Sequence, residues 1–382
     1  MRYIDIGVLP VQENKSKKKK RIILSGLMII FATVVVYLGY AFYWPISAVV
    51  GQILKNPGVA LSFFRQPAGE LKSTDGKTNI LLLGIDKRTN VPYTYFVSGG
   101  TQKRNGFLSD TIIVASIDQN TKQVSLISIP RDTWVAIPGW SGISASSGKI
   151  NSAYSLGATE GYPGGGLELA ERVVSEHLGL TIHYGVRIDF EGFKKAIDTL
   201  GGINVVVEKS FDDYQYPLEG KEKVDCSDYS CRFGHIHFDA GPTHMDGLTA
   251  LKFVRSRSGT NGEGSDFARA RRQQRVIQAF FKKSTSIGNL LDPVKLNKIF
   301  RDFGQAVESD FDLAAIPQTI KLSKEINLDN VRTFVLDPSS GVMRHPEAGS
   351  YGGAYVIVPK RSWDEVRTKI KEFLSNVAGA SK

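Results

Sequence analysis

The feature that most constrains this chain is a run of 23 residues without a charge, Ile22–Trp44 (IILSGLMIIFATVVVYLGYAFYW). A helix rises about 1.5 Å per residue, so crossing the hydrocarbon core takes about 20 such residues. The run is long enough, and Pro45 marks the end of the helix it predicts. Tyr37, Tyr40, Tyr43 and Trp44 crowd its distal end, where interfacial aromatics sit. The segment Lys15–Arg21 (KSKKKKR) holds six basic residues directly before the run and keeps the N-terminus in the cytoplasm. The expected order is a cytoplasmic basic tail (1–21), a transmembrane helix (22–44), an extracytoplasmic stalk (45–78) and a folded body outside the cell membrane. A cleaved signal peptide is the competing reading. The run is longer than a ~7–15-residue signal core, and no small-x-small site follows it.

That placement limits the chemistry. Energy for a reaction must come with the substrate rather than from ATP. A disulfide is permitted, and Cys226 and Cys231 are the only cysteines. A small loop closed by these two is the expected arrangement. The alternative, a zinc site shared with His235 and His237, has loose ligand spacing. The chain has 382 residues, 42% of them apolar and 23% charged, which excludes disorder and a multi-span transporter. Lys plus Arg exceed Asp plus Glu by 48 − 38 = +10. Seven basic and two acidic residues in 1–21 account for +5 of that. The body is therefore mildly basic and lacks the dense stripe of a nucleic-acid binder, so no nucleic acid is expected as a partner.

Along the body, strand and helix patterns alternate. Asn79–Leu83 is a buried strand, and residues 89–108 are a long loop. Thr111–Ile117 and Val124–Ile129 form a hairpin across a turn signal. Helices are expected at 164–178, 190–200, 246–254 and 267–284, the last with Asp266 as N-cap, and a strand at 203–207. Residues 208–245 read as a long irregular segment. Helices near 291–303 and 313–325, strands at 331–335 and 355–358, and a helix at 363–375 follow. The last opens on the capping-box pattern Ser362-Trp-Asp-Glu365. This alternation predicts a layered α/β architecture.

Two acids stand at strand ends: Asp86 closes NILLLGID, and Asp110 opens SDTIIVASI. Ligands of α/β folds gather at strand ends, and a carboxylate beside cations suits a hard ion such as Mg²⁺ shared with a phosphate. The arginines carry more. Arg131 follows a strand in SIPRDT, Arg255 and Arg257 follow a helix in VRSR, and Arg269, Arg272 and Gln273 share one helical face. Converging guanidiniums repel one another unless an anion lies between them, and their forks match phosphate oxygens. A pyrophosphate fits such a set.

The motifs NILLLGIDKR, SDTIIVAS, SIPRDTWV, KINSAYSLG, FEGFKKAIDTLGGINVVV, MDGLTALKFVRSRSG and DFARARRQQ occur in this order. In them the chain resembles the LytR–CpsA–Psr family of extracytoplasmic glycopolymer transferases. The close match covers about residues 79–275, with a looser one to about 340. The resemblance implies a layered α-β-α sandwich with a central mixed sheet (79–340), a strand-helix extension of the same domain (341–382) and an apolar pocket for a polyprenyl chain. It implies transfer of a glycopolymer, with one phosphate, from a polyprenyl-pyrophosphate carrier to a peptidoglycan hydroxyl, with polyprenyl phosphate leaving. By motif match Asp86 and Asp110 bind Mg²⁺ (or Mn²⁺). Arg88, Arg131, Arg255, Arg257, Arg269, Arg272 and Gln273 surround the pyrophosphate. Asp266 and Asp110 are the candidates for the base. Leu108 stands where the family often has Arg, so either one phosphate contact is missing or Lys103 or Arg104 replaces it. A polyprenyl-pyrophosphate hydrolase and a non-catalytic, membrane-tethered regulator of wall assembly are the alternatives.

Overall fold

The structure, a computed structural model, describes residues 71–85, 94–96, 102–104, 107–219, 221, 224–226, 228, 230–284, 306–311, 316–326, 330–347 and 349–375. The basic tail, the span expected at 22–44, most of the stalk, the helix expected near 291–303 and the site candidates Asp86 and Arg88 lie outside the described residues. Among the described residues no helix is long and apolar enough to cross a membrane.

A six-stranded mixed sheet organises the body. Its strands are β1 (Lys77–Ile85), β2 (Ser109–Asp118), β3 (Val124–Ser128), β4 (Tyr184–Asp189), β9 (Val307–Ser309) and β10 (Arg332–Val335). The labels β5 (Ile203–Val207), β6 (Phe211–Pro217), β7 (Phe233–Phe238) and β8 (Gly241–Met245) belong to two smaller sheets. The spatial order is β9-β4-β1-β2-β3-β10. The hairpin expected at 111–129 is the antiparallel pair β2–β3, and β1 runs antiparallel to β2 and parallel to β4.

Side chains alternate across the sheet as period two demands. Leu81, Leu83 and Ile85 of β1, with Ile112 and Val114 of β2, face one core. Leu82, Ile113 and Ala115 face the other. Helix α1 (Ala153–Thr159), α2 (Gly165–Leu178) and α7 (Trp363–Ser375) belong to the first side: Leu169, Val173, Val366 and Ile370 are buried there. Helix α5 (Asp266–Ser284) covers the second through Ile277, and α6 (Ile316–Glu325) buries Leu322 beside Tyr184. The sheet thus has helices on both faces. Helix α3 (Phe190–Thr199) and α4 (Gly247–Arg255), with β5–β8 and Val276 of α5, enclose a separate apolar core. The α3 and α4 N-termini are capped by Asp189 and Asp246, which accept from the backbone N–H groups of Gly192 and Thr249.

Four expectations need correction. Residues 208–245 are not irregular: β6 pairs with β7, and β8 pairs with β5. Gly, Pro and His interrupt the alternation in these strands and hid it. The stalk does not extend to 78, because Leu71 is buried and Lys77 opens β1. The cap of α5 is Ser265, whose hydroxyl accepts from the Ala268 N–H, and Asp266 is the first helical residue. Within the loop expected at 89–108, the backbones of Thr94–Phe96 and Gln102–Arg104 pair. A disulfide joins Cys226 to Cys231. Those sulfurs are therefore not zinc ligands, and the His235 and His237 rings contact Asp212.

At the end of the sheet where β4 begins, Glu171 of α2 lies beside Glu168, Asp310 and Lys72. Burial, with the Asp310 and Glu168 carboxylates, pushes the Glu171 carboxyl up to about 8. Between the ordinary carboxylate range and pH 8 the folded state keeps a proton that the unfolded chain has lost. Stability therefore falls as pH rises through that window. Glu171→Gln is expected to raise the thermal midpoint at pH 8 and to change it little at pH 5. After allowing for solvent screening the gain is about 1–2 kcal/mol, read from melts at the two pH values.

Candidate active site

The site lies where β2 begins and β3 ends, under the N-terminus of α5. Asp110 stands at a β-bulge: Ile85 pairs with Ser109 and Gly84 with Thr111, which leaves Asp110 without a partner on β1. Bulges re-aim side chains, and this one gives Asp110 to a cleft instead of to the sheet. Arg131 follows β3 and donates to Asp110 Oδ1 at 2.7 Å. Beside it Lys149 donates to Asp132 at 2.5 Å.

Across the cleft, Arg257 forks onto Asp266, with Nε to Oδ1 at 3.1 Å and Nη2 to Oδ2 at 3.3 Å. Arg269, 7% exposed, reaches the same Oδ1 at 3.2 Å. Burial first, and then the charges of Arg257 and Arg131, lower the Arg269 guanidinium to about 10. Arg131 is raised despite its burial by Asp110, Asp132 and Asp266. Arg131, Arg269, Asp110 and Asp266 line one cleft, and Arg257, outside that lining, stands beside it through its fork onto Asp266. Tyr355 and Ile357 complete its wall.

Besides Arg257, two further sequence candidates, Arg272 and Arg255, do not line the cleft. Arg272 is fully buried and donates to the carbonyls of Phe253 (2.9 Å), Glu263 (2.8 Å) and Ser256 (2.5 Å) and to the Glu263 carboxylate (2.6 Å). Its guanidinium also lies over Phe211 and Phe253, away from the cleft lining. It instead ties α4 to the loop that carries Arg257. Arg255 lies over the Phe190 ring at 4.5 Å and donates to the Tyr216 hydroxyl at 3.3 Å.

Asp213 is a residue that sequence reading missed. Fully buried, it accepts from the Ser256 hydroxyl (2.7 Å) and from the Arg257 and Ser258 N–H groups (3.2 Å each). It therefore fixes the backbone from which Arg257 reaches out. It also accepts from the nearby Gln215 N–H, but that local bond does not reveal its link to Arg257, because Ser256, Arg257 and Ser258 lie more than forty positions away.

Gln273 stands at a junction. It donates to the Thr111 hydroxyl at 2.9 Å, and both residues line the cleft and a second, apolar groove. That groove, with a volume of about 210 Å³, lies between β4, α3, α4 and α5 and is lined by Ile188, Phe193, Ile197, Val276 and Phe280 among others. Gly84 makes the junction possible: a Cβ there would come within 2.9 Å of the Thr111 Cβ.

For the metal expected here, Asp110 offers a carboxylate of the hard-oxygen type that Mg²⁺ takes. Among the described residues no cluster of three or more His, Cys, Asp or Glu could hold a metal on its own, so the fit depends on Asp86 as second donor.

The chain is 29% identical over 327 residues to the polyisoprenyl-teichoic acid–peptidoglycan teichoic acid transferase TagU of Oceanobacillus iheyensis, covering 85% of this chain and 88% of that protein. It is 31% identical over 294 residues to the corresponding transferase TagV of Bacillus subtilis, covering 76% and 64% of the two. The crystal structure of B. subtilis TagV matches with a TM-score of 0.52 at 25% identity, over 79% of this chain and 98% of that one. The model of the LytR_cpsA_psr family matches residues 59–372, and the chain belongs to that family.

Proposed function

We propose that the chain is a phosphotransferase that moves a glycopolymer, with one phosphate, from a polyprenyl-pyrophosphate carrier to a hydroxyl of peptidoglycan. The observation that carries this reading is the junction. An apolar groove and an arginine-walled cleft share Thr111 and Gln273. A polyprenyl pyrophosphate has the same two halves, a greasy chain and a multiply charged head group. The relatives named as teichoic acid transferases to peptidoglycan support the glycan and the acceptor. In the proposed arrangement Ile22–Trp44 anchors the body outside the cytoplasm, close to the lipid carrier and the wall.

Phosphoryl transfer is mainly positioning and charge stabilisation. Arg131, Arg257 and Arg269 bind the pyrophosphate and meet the charge that grows on the departing phosphate. Asp266 holds two of these guanidiniums in place, and Asp110 holds the third. Both carboxylates stand at the cleft to take the proton of the attacking hydroxyl. Asp110 and Asp86 would hold Mg²⁺ (or Mn²⁺), which when bound neutralises phosphate oxygens. The groove takes the start of the polyprenyl chain.

The test uses the full chain in nanodiscs with a labelled polyprenyl-pyrophosphate glycan, with and without peptidoglycan. Label is expected on the wall polymer only when both are present. Equal release of polyprenyl phosphate in both cases, with no label on the wall, would instead make the protein a hydrolase. Ile188→Trp fills the groove. It is expected to cut kcat/KM for a long-chain donor roughly tenfold or more and to spare a short-chain donor.

A further inference from the structure

Beyond the cleft stands a group of aromatic side chains to which no role has been given. Tyr351 and Tyr355 are 42% and 56% exposed. The Tyr351 ring packs edge-on against Trp134 at 5.1 Å. Tyr355 lies 5.0 Å from His345, whose Nδ1 faces the Val356 carbonyl at 3.3 Å. The two pairs are joined through the backbone, because Trp134 N–H donates to the Ile357 carbonyl. Tyr355 also lines the cleft, and its phenol is pushed up by burial and by the Asp266 and Asp132 carboxylates. Tyr355 thus borders the reacting centre itself, and the Tyr351–Trp134 pair is linked to it through the backbone.

The backbone adds an independent sign. Gly349, Tyr351, Gly352 and Gly353 all have positive φ, and for glycine this carries little strain. Tyr351, at φ 54°, does not share that freedom; a bulky residue there is strained. Such strain persists where a side chain is kept for its function. A ring held upright and half in water, at a position that suits glycine, fits a binding surface better than a packing element.

We propose that Tyr351, Trp134 and Tyr355 form a stacking shelf for the sugar rings of the acceptor, the glycan strand of peptidoglycan. The proposal rests on the transferase reading. Rigid aromatic rings offer a large amphipathic face at small entropy cost, which suits the C–H face of a pyranose. In-line displacement selects the acceptor over the donor: the attacking hydroxyl enters opposite the leaving oxygen. The leaving polyprenyl phosphate belongs to the groove end, at Thr111 and Gln273. Tyr355 lines the cleft but not the groove, so it stands where the attacking sugar must arrive.

The experiment measures KM for the acceptor and for the lipid-linked donor, using the full chain in nanodiscs and soluble peptidoglycan glycan strands. Tyr355→Ala and Tyr351→Gly are expected to raise the acceptor KM roughly tenfold, with the donor KM changed less than about twofold. Tyr351→Gly suits the left-handed backbone, so its thermal midpoint is expected to fall by no more than ~2 °C. An unchanged acceptor KM overturns the shelf, and a higher donor KM alone assigns the rings to the donor glycan and overturns it too. A lower midpoint with both KM values unchanged makes the Tyr351–Trp134 contact structural. If the wild type fails to transfer, the transferase reading falls. Anisotropy of a fluorescent glycan strand, with wild type against Tyr351→Gly, still decides the shelf.

Discussion

Arg269→Ala is expected to lower kcat/KM for glycan transfer by about 100- to 1,000-fold, the usual cost of removing one preorganised charge from a transition-state site. Arg269 is nearly buried, and burial with two neighbouring guanidiniums lowers it to about 10. The folded protein therefore holds this cation at a disadvantage at every pH below about 10. An anion entering beside Arg131 and Arg269 offsets that disadvantage, which Asp266 offsets only in part. The substitution should accordingly leave the thermal midpoint unchanged or higher while activity falls. Steady-state kinetics and a melt on the same preparation check both halves. A fall in midpoint with activity retained would make Arg269 a packing residue.

Arg272→Met is expected to do the reverse, lowering stability by about 3–5 kcal/mol, because it leaves the buried Glu263 carboxylate and three carbonyls without their donor. Part of the loss should be recovered in Arg272→Met/Glu263→Leu, since the unpaired charge is then gone. Denaturant unfolding of the two single variants and the double variant measures this. If the losses simply add, the pair is not coupled and the arrangement of the 256–263 loop has another source. The two substitutions lie three positions apart on one helix, yet one should affect rate and the other stability.

That contrast shows what the sequence displays and what it hides. Strand β1, the β2–β3 hairpin and helices α2, α3, α4, α5 and α7 were legible from periodicity and capping residues, because each is a local pattern. The motifs also named Arg131 and Arg269, which share one cleft, but not that the Asp110 and Asp266 carboxylates lie between these guanidiniums. The division of labour among the arginines was not legible. Arg272 sits four residues from Ala268 and four from Val276, both buried, and that spacing was a signal that it points inward. Its carbonyl partners come from a loop with no repeating pattern. Asp213 was invisible for the same reason, and the bulge at Asp110 is a matter of register, which single-strand patterns do not reveal.

The absence of a side chain at Gly84 has a consequence for how the lipid and the head group are kept apart. Any larger residue there would act as a wedge behind Thr111 and prise it from Gln273. The close fit of Thr111 against β1 thus hangs on a single hydrogen atom, at a position far too small to be recognised as part of any site.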